Sequence, residues 1–140
     1  MTMGTLFLAE SLGSSLDAYA RGAYPNETCG LLLGLNSGRE RLVAQVREAR
    51  NLNVERAQDR FELDPQDFLA ADREARAAGL DVVGIWHTHP DHPAQPSATD
   101  RAGAWPEWSY VILSVSRDGV KEVRSWRLNG DDFEEETIRS

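Results

Sequence analysis

The chain has 140 residues, 41% of them hydrophobic and 27% charged, a balance that fits one globular domain able to bury a core without disulfides or a structural metal. Its 15 Lys and Arg against 23 Asp and Glu leave a net charge of −8, which argues against a nucleic-acid partner, since that role normally needs a basic face. No apolar run is long enough to cross a bilayer, the start M-T-M-G-T-L-F-L-A-E lacks a basic signal-peptide region, and the lone Cys29 cannot form an internal disulfide, so no membrane and a cytoplasmic localisation are expected.

In chain order, Thr5–Ala9 alternates weakly and reads as a first strand. Glu10–Arg21 carries Leu12, Leu16, Tyr19 and Ala20 at helical spacing, and Gly22 and Pro25 end it. Leu31–Leu35 reads as a central strand. Asn36-Ser37-Gly38 is a turn signal and Arg41–Glu48 alternates, so a hairpin from Leu31 to Ala49 is expected. Arg50–Arg60 is polar and patternless, a loop able to line a cleft, and Phe61–Asp64 has room for a short strand. Asp64-Pro65 then starts a helix, with an acidic cap and proline at its first position, and Gly79 stops it. Leu80–Thr88 reads as a buried strand, Ser109–Val115 as another, and Val120–Leu128 as its return after the Arg117-Asp118-Gly119 turn. The acidic tail Asp131–Arg139 offers an edge strand through Phe133 and Ile138. The expected fold class is α/β (α+β), a mixed β-sheet flanked by helices in one domain over residues 1–140.

The chemistry concentrates in Val82–Asp100, V-V-G-I-W-H-T-H-P-D-H-P-A-Q-P-S-A-T-D. An apolar run ends in His87 and His89, two apart, so on an extended backbone both imidazoles face one side and Thr88 the other. Pro90, Pro93 and Pro96 read as carrying the chain round a loop, and Asp100 sits at the head of a helix from which its carboxylate can swing back to the histidines. Two imidazoles and a carboxylate, with a fourth position open to water, is how a catalytic zinc is held. The competing reading is local: S-x-x-D from Ser97 to Asp100 is also an ordinary capping box, and histidines at a strand end are usually hydrogen-bonded surface groups.

These residues resemble the JAMM (MPN-plus, JAB) metallopeptidase family, whose signature is an early glutamate followed downstream by H-[ST]-H-P-x5-P-S-x-x-D. The chain has Glu27 in P-N-E-T-C-G-L-L-L-G, then His87-Thr88-His89-Pro90, five residues, and Pro96-Ser97-Ala98-Thr99-Asp100. The flanking F-E-L-D-P-Q-D-F, S-Y-V-I-L-S and V-R-S-W-R segments look alike too, and the likeness is strongest to short stand-alone bacterial members. The resemblance implies a partly rolled sheet similar in outline to cytidine deaminases, one Zn2+ per chain on His87, His89 and Asp100, Glu27 as catalytic acid and base, and Ser97 facing the scissile carbonyl. It implies an isopeptidase or peptidase acting after the C-terminal Gly-Gly of a ubiquitin-like or sulfur-carrier protein. With only Arg101–Trp108 before the next strand, there is little room for a linkage-selecting insert, and recognition of an extended tail by pairing at a sheet edge is expected.

The alternatives are a non-catalytic MPN scaffold or binding module, whose members usually lack the ligands found here, and a zinc deaminase, whose P-C-x-x-C ligand pair one cysteine cannot supply. Asp91 and His92 read as loop residues and Cys29 as a buried small hydrophobe. Homo-oligomerisation is compatible with everything in the sequence.

Overall fold

Nine elements follow one another in a computed structural model that describes residues 4–58, 60–98, 100 and 104–140. They are β1 (Thr5–Phe7), α1 (Glu10–Ala23), β2 (Cys29–Ser37), β3 (Glu40–Ala49), α2 (Pro65–Ala77), β4 (Asp81–Pro90), β5 (Ser109–Ser116), β6 (Gly119–Asn129) and β7 (Asp132–Arg139). The strands close into a barrel in the order β1-β3-β2-β4-β5-β6-β7. β4 and β5 run parallel, as do the two pairings of β1, and the remaining pairs are antiparallel.

The mixed sheet flanked by helices is therefore present, and it is rolled further than the sequence implied. β7 is not an edge: it pairs with β6 on one side and with the three residues of β1 on the other, which closes the ring. The seam is short, however: β1 covers only residues 40–42 of β3 and 137–139 of β7, so among the described residues 43–49 of β3 pair with a strand on the β2 side alone. The β2–β3 hairpin is as expected, with a register shift at Leu33/Gly34 that lets it follow the curve.

Burial explains which strands are central. In β2, Leu32 packs with Leu16, Ala20, Val83, Trp86 and Leu113, while its neighbours Leu31 and Leu33 pack with Ala71 and Ala75 of α2. Both faces of this strand are covered, which is why it reads as an unbroken apolar run rather than an alternating one. α1 touches β3, β5 and β6, strands on both sides of the roll, and so fills its inner face, whereas α2 lies outside on β2, β3 and β4. Asp64 caps α2 by accepting from the Gln66 N–H at 2.9 Å, with Pro65 at the first helical position.

Trp86, fully buried, fixes the middle of the roll. It stacks on Tyr19 of α1 at 5.5 Å and donates from Nε1 to the Arg47 carbonyl at 3.0 Å, reaching across β2 to β3. The path crosses Gly30, where an added Cβ would stand 1.9 Å from that carbonyl and 2.5 Å from the indole nitrogen, so this position has no room for a side chain.

Candidate metal centre

β4 extends beyond the expected boundary at Thr88, through His89 to Pro90, which pairs with Val115 of β5. Pro90 ends the strand instead of starting the loop, and the extra residues matter because they keep His89 on a regular backbone. The period of two then acts as expected: His87 and His89 share a face, with their Nε2 atoms 3.1 Å apart. Thr88 faces the other way and accepts from the Thr28 N–H at 2.9 Å. After Pro90 the chain turns sharply at Asp91, which has φ 60° and is held by the Tyr24 hydroxyl donating to its carboxylate at 2.9 Å.

The capping box and the metal site turn out to be one arrangement. The Ser97 N–H donates to Asp100 Oδ2 at 2.8 Å and the Asp100 N–H to Ser97 Oγ at 3.0 Å, the reciprocal pair of a helix start. That pair points the Asp100 carboxylate at the histidines, with Oδ1 3.2 Å from His87 Nε2 and Oδ2 3.2 Å from His89 Nε2. Ligands about 2.0–2.1 Å from a tetrahedral zinc lie roughly 3.3 Å from one another. The two Nε2 atoms at 3.1 Å, each 3.2 Å from a different oxygen of Asp100, come close to that spacing, one ligand atom from each residue lies within 4.8 Å of the others, and the donor set of two imidazoles and one carboxylate is a metal-binding one.

Electrostatics follow from burial and contact. Burial opposes charging of His87 and lowers its pKa despite the neighbouring Asp100. Burial also works against His89, but Asp100, the Pro93 carbonyl 2.8 Å from Nδ1 and the charge of Glu27 outweigh it, so its pKa is raised. Asp100 is partly buried, yet the hydrogen bonds from both histidines and from the Ser97 N–H hold it far below the usual carboxylate range. The Pro93 bond fixes the His89 ring so that Nε2 faces the cluster. His87 is held differently: Phe61 stacks on its ring at 4.5 Å, while Nδ1 is buried with no hydrogen-bond partner among the described residues.

Glu27, from the other half of the chain, is buried and lines the same cleft of about 340 Å³ as His89, Ser97 and Asp100, together with Arg60, Phe61, His92, Pro93 and Gln95. Strand register brings it there. Cys29 pairs with His87 across β2 and β4, so the residues just before β2 lie beside the end of β4. All five residues singled out in the sequence, Glu27, His87, His89, Ser97 and Asp100, therefore meet at one end of the barrel. Cys29 is fully buried and its thiol is pushed up to about 12 by burial and by the acids around it, so it packs as a small hydrophobe. A second depression of about 630 Å³, lined by Asn26, residues 54–58 and Asp91, shares His92 with the first.

Sequence reasoning missed Phe61, which covers His87, and Asn51, whose carboxamide donates to the Glu27 carbonyl at 3.2 Å. Phe61–Asp64, expected as a short strand, forms only the isolated bridge of Leu63 to Asn51, and Asn51 itself lies in a stretch without pattern.

Residues 10–129 match the family described as prokaryotic homologs of the JAB domain. The chain belongs to that family. It is 36% identical to the desampylase of Haloferax volcanii, an alignment spanning 99% of this JAB chain and 98% of that protein. It is 30% identical to the CysO-cysteine peptidase of Mycobacterium tuberculosis, over 98% of this chain and 92% of that one. Among solved structures, a Desulfitobacterium hafniense protein superposes with a TM-score of 0.83 at 34% identity, covering 95% of this chain and 90% of the other. The chain thus combines a mixed, rolled α/β fold with a His-His-Asp cluster able to coordinate a metal. No helix among the described residues is long and apolar enough to cross a membrane.

Proposed function

We propose that residues 1–140 form one zinc-dependent isopeptidase domain that hydrolyses the amide bond after the C-terminal Gly-Gly of a ubiquitin-like or sulfur-carrier protein, in the cytoplasm. The observation that carries this reading is the convergence of His87 Nε2, His89 Nε2 and the Asp100 carboxylate, each imidazole 3.2 Å from one of its oxygens, beside a cleft that also holds Glu27 and Ser97. The desampylase and CysO-cysteine peptidase names of its relatives support the substrate class.

His87, His89 and Asp100 would hold the zinc, which when bound acts as a Lewis acid and makes water a nucleophile near neutral pH. Glu27 takes the proton released as water attacks the carbonyl carbon and delivers it to the departing nitrogen, so a C–O bond forms, the C–N bond breaks and the amine leaves neutral. Ser97 supports the developing oxyanion with its hydroxyl. Its Oγ is the acceptor from Asp100, which leaves its own proton to point into the cleft. The carrier's tail lies in the cleft and continues past His92 into the second depression.

The test is mass spectrometry of zinc-loaded protein incubated with carrier proteins joined through Gly-Gly to cysteine or to a lysine side chain. Cleavage after Gly-Gly is expected, and Glu27→Gln should lower kcat by about 10²–10⁴-fold while keeping the metal. Wild-type turnover by the Glu27→Gln protein would refute the mechanism, and no cleavage of any conjugate would refute the substrate class.

A further inference from the structure

Glu27 stands outside the barrel's hydrogen-bond ladder. β2 begins at Cys29, two residues later. A proton-transferring acid nonetheless has to be held to within about 0.5 Å, and a misplacement of about 1 Å can cost roughly a hundredfold in rate. Something else must hold this residue, and the loop from Asn51 to Leu63 does.

That loop is closed at its neck by a bridge between Asn51 and Leu63 and by the Leu52 N–H donating to the Glu62 carbonyl at 2.8 Å. Inside the neck the Asn51 carboxamide uses both of its ends. Nδ2 donates to the Arg60 carbonyl at 3.0 Å and to the Glu27 carbonyl at 3.2 Å. Oδ1 accepts from the Asn53 N–H at 3.0 Å and the Glu62 N–H at 2.9 Å. Two donors and two acceptor positions are an asparagine's full capacity. The same loop takes the other backbone group of Glu27, whose N–H donates to the Ala57 carbonyl at 2.5 Å.

We propose that Asn51 is a positioning residue for the reaction: its carboxamide locks the 51–63 loop to the Glu27 backbone and so sets where the Glu27 carboxylate stands over the histidines. The inference rests on the reading of Glu27 as the acid–base group given above. Asn51 does not itself line the cleft; it reaches the site through the Glu27 backbone and through the backbone at Arg60 and Glu62, on either side of Phe61. The part of its effect that passes through Glu27 lowers the rate of the chemical step and leaves substrate affinity and metal content in place. Asn51→Asp is the sharper variant, because it keeps the accepting oxygen and sets a second oxygen against two carbonyls. Asn51→Ala removes all four bonds.

The experiment is a double-mutant cycle on the zinc-loaded protein, with a carrier protein joined through Gly-Gly to a labelled lysine peptide or to cysteine as substrate. Asn51→Asp and Asn51→Ala should each lower kcat about 10–100-fold with KM within about threefold and one metal per chain retained. In a Glu27→Asp background, where the carboxylate is already displaced by a methylene, the further loss on Asn51→Ala should be under about threefold, while in a Ser97→Ala background it should appear in full. Equal losses in both backgrounds, or a change confined to KM, would overturn the role assigned to Asn51. If Glu27→Asp and Glu27→Gln proved as active as wild type, the reading of Glu27 would fail first, and the inference with it. Thermal melts and metal analysis on each variant separate either result from unfolding.

Discussion

The barrel buries a polar cluster at each end, and the two are built on opposite plans. At the end where β5 begins, Glu136 is fully enclosed and each carboxylate oxygen has a donor, Arg127 Nε at 2.5 Å and Ser125 Oγ at 2.6 Å. Arg127 directs its other nitrogens to the Gly38 and Arg39 carbonyls at 3.2 and 2.8 Å. Arg41 lies in the same region, bonded to Ser109 Oγ at 3.0 Å, and burial with the repulsion of Arg127 lowers its pKa. At the far end, where β4 finishes, His87, His89 and Asp100 turn their lone-pair-bearing atoms towards one another. A cation is already built into the first cluster, and the acid there answers it. The second cluster brings together three residues that could hold a metal, an arrangement that gains most from a cation supplied from outside. Burial alone does not mark a functional site, and neither does a buried atom without a partner, since Arg41 Nε and His87 Nδ1 each lack one among the described residues; what distinguishes the two is whether the cluster carries its own cation.

The largest effect should come from breaking the second cluster. His89→Ala removes one ligand, the Pro93 bond and one partner of Asp100, so metal content should fall to background and peptidase activity with it. Metal analysis beside activity checks this, and a His89→Ala protein that still carried one zinc and cleaved normally would remove the cluster from the mechanism. Breaking the first cluster should do the reverse. Glu136→Gln leaves Arg127 and Arg41 buried without their counter-charge, a change that typically costs about 3–5 kcal/mol of stability. Denaturant unfolding would report it, and kcat at a temperature where the variant is folded should stay close to wild type.

The same contrast explains what could be read before the fold was known. The capped start of α2 at Asp64-Pro65 and the shared face of His87 and His89 depend on a few neighbouring residues, so local chemistry reveals them. The convergence of Glu27 on the histidines depends on the pairing of Cys29 with His87 across β2 and β4, which no local pattern encodes; it was reachable only through the spacing of a long motif. Asn51 is harder still. Its partners are main-chain groups at positions 27, 53, 60 and 62, and a carboxamide chosen to bond backbone leaves no periodicity behind. Closure of the barrel was invisible for a related reason. β7 carries an acidic, half-apolar pattern suited to an edge, and only the short parallel β1 beside it turns that edge into a seam.

The smallest expected effect is a pH dependence confined to the metal-site end. In metal-free protein His89 has a pKa raised above its ordinary value of about 6.5 by Asp100, the Pro93 carbonyl and Glu27, which together outweigh its burial. A proton held more tightly in the folded state stabilises that state. The contribution is complete below the unfolded pKa and is lost as pH rises through the folded one. His87 opposes it, since burial lowers its pKa and charging it is unfavourable as pH falls below about 6.5. Replacing His89 by Gln removes the first contribution and leaves the second, so the stability gap between metal-free wild type and His89→Gln should be widest near pH 6 and narrow towards pH 9. Zinc reverses the trend, because it binds neutral imidazole and competes with the proton on His89; the melting-temperature gain from zinc should therefore grow with pH in the wild type. Melts at pH 6, 7.5 and 9 with zinc or a chelator would check both halves. A gap that did not change with pH would mean that folding leaves the His89 pKa unshifted, so that Asp100 is held in the metal-free protein by its bonds to Ser97 and His87 rather than by a charged His89.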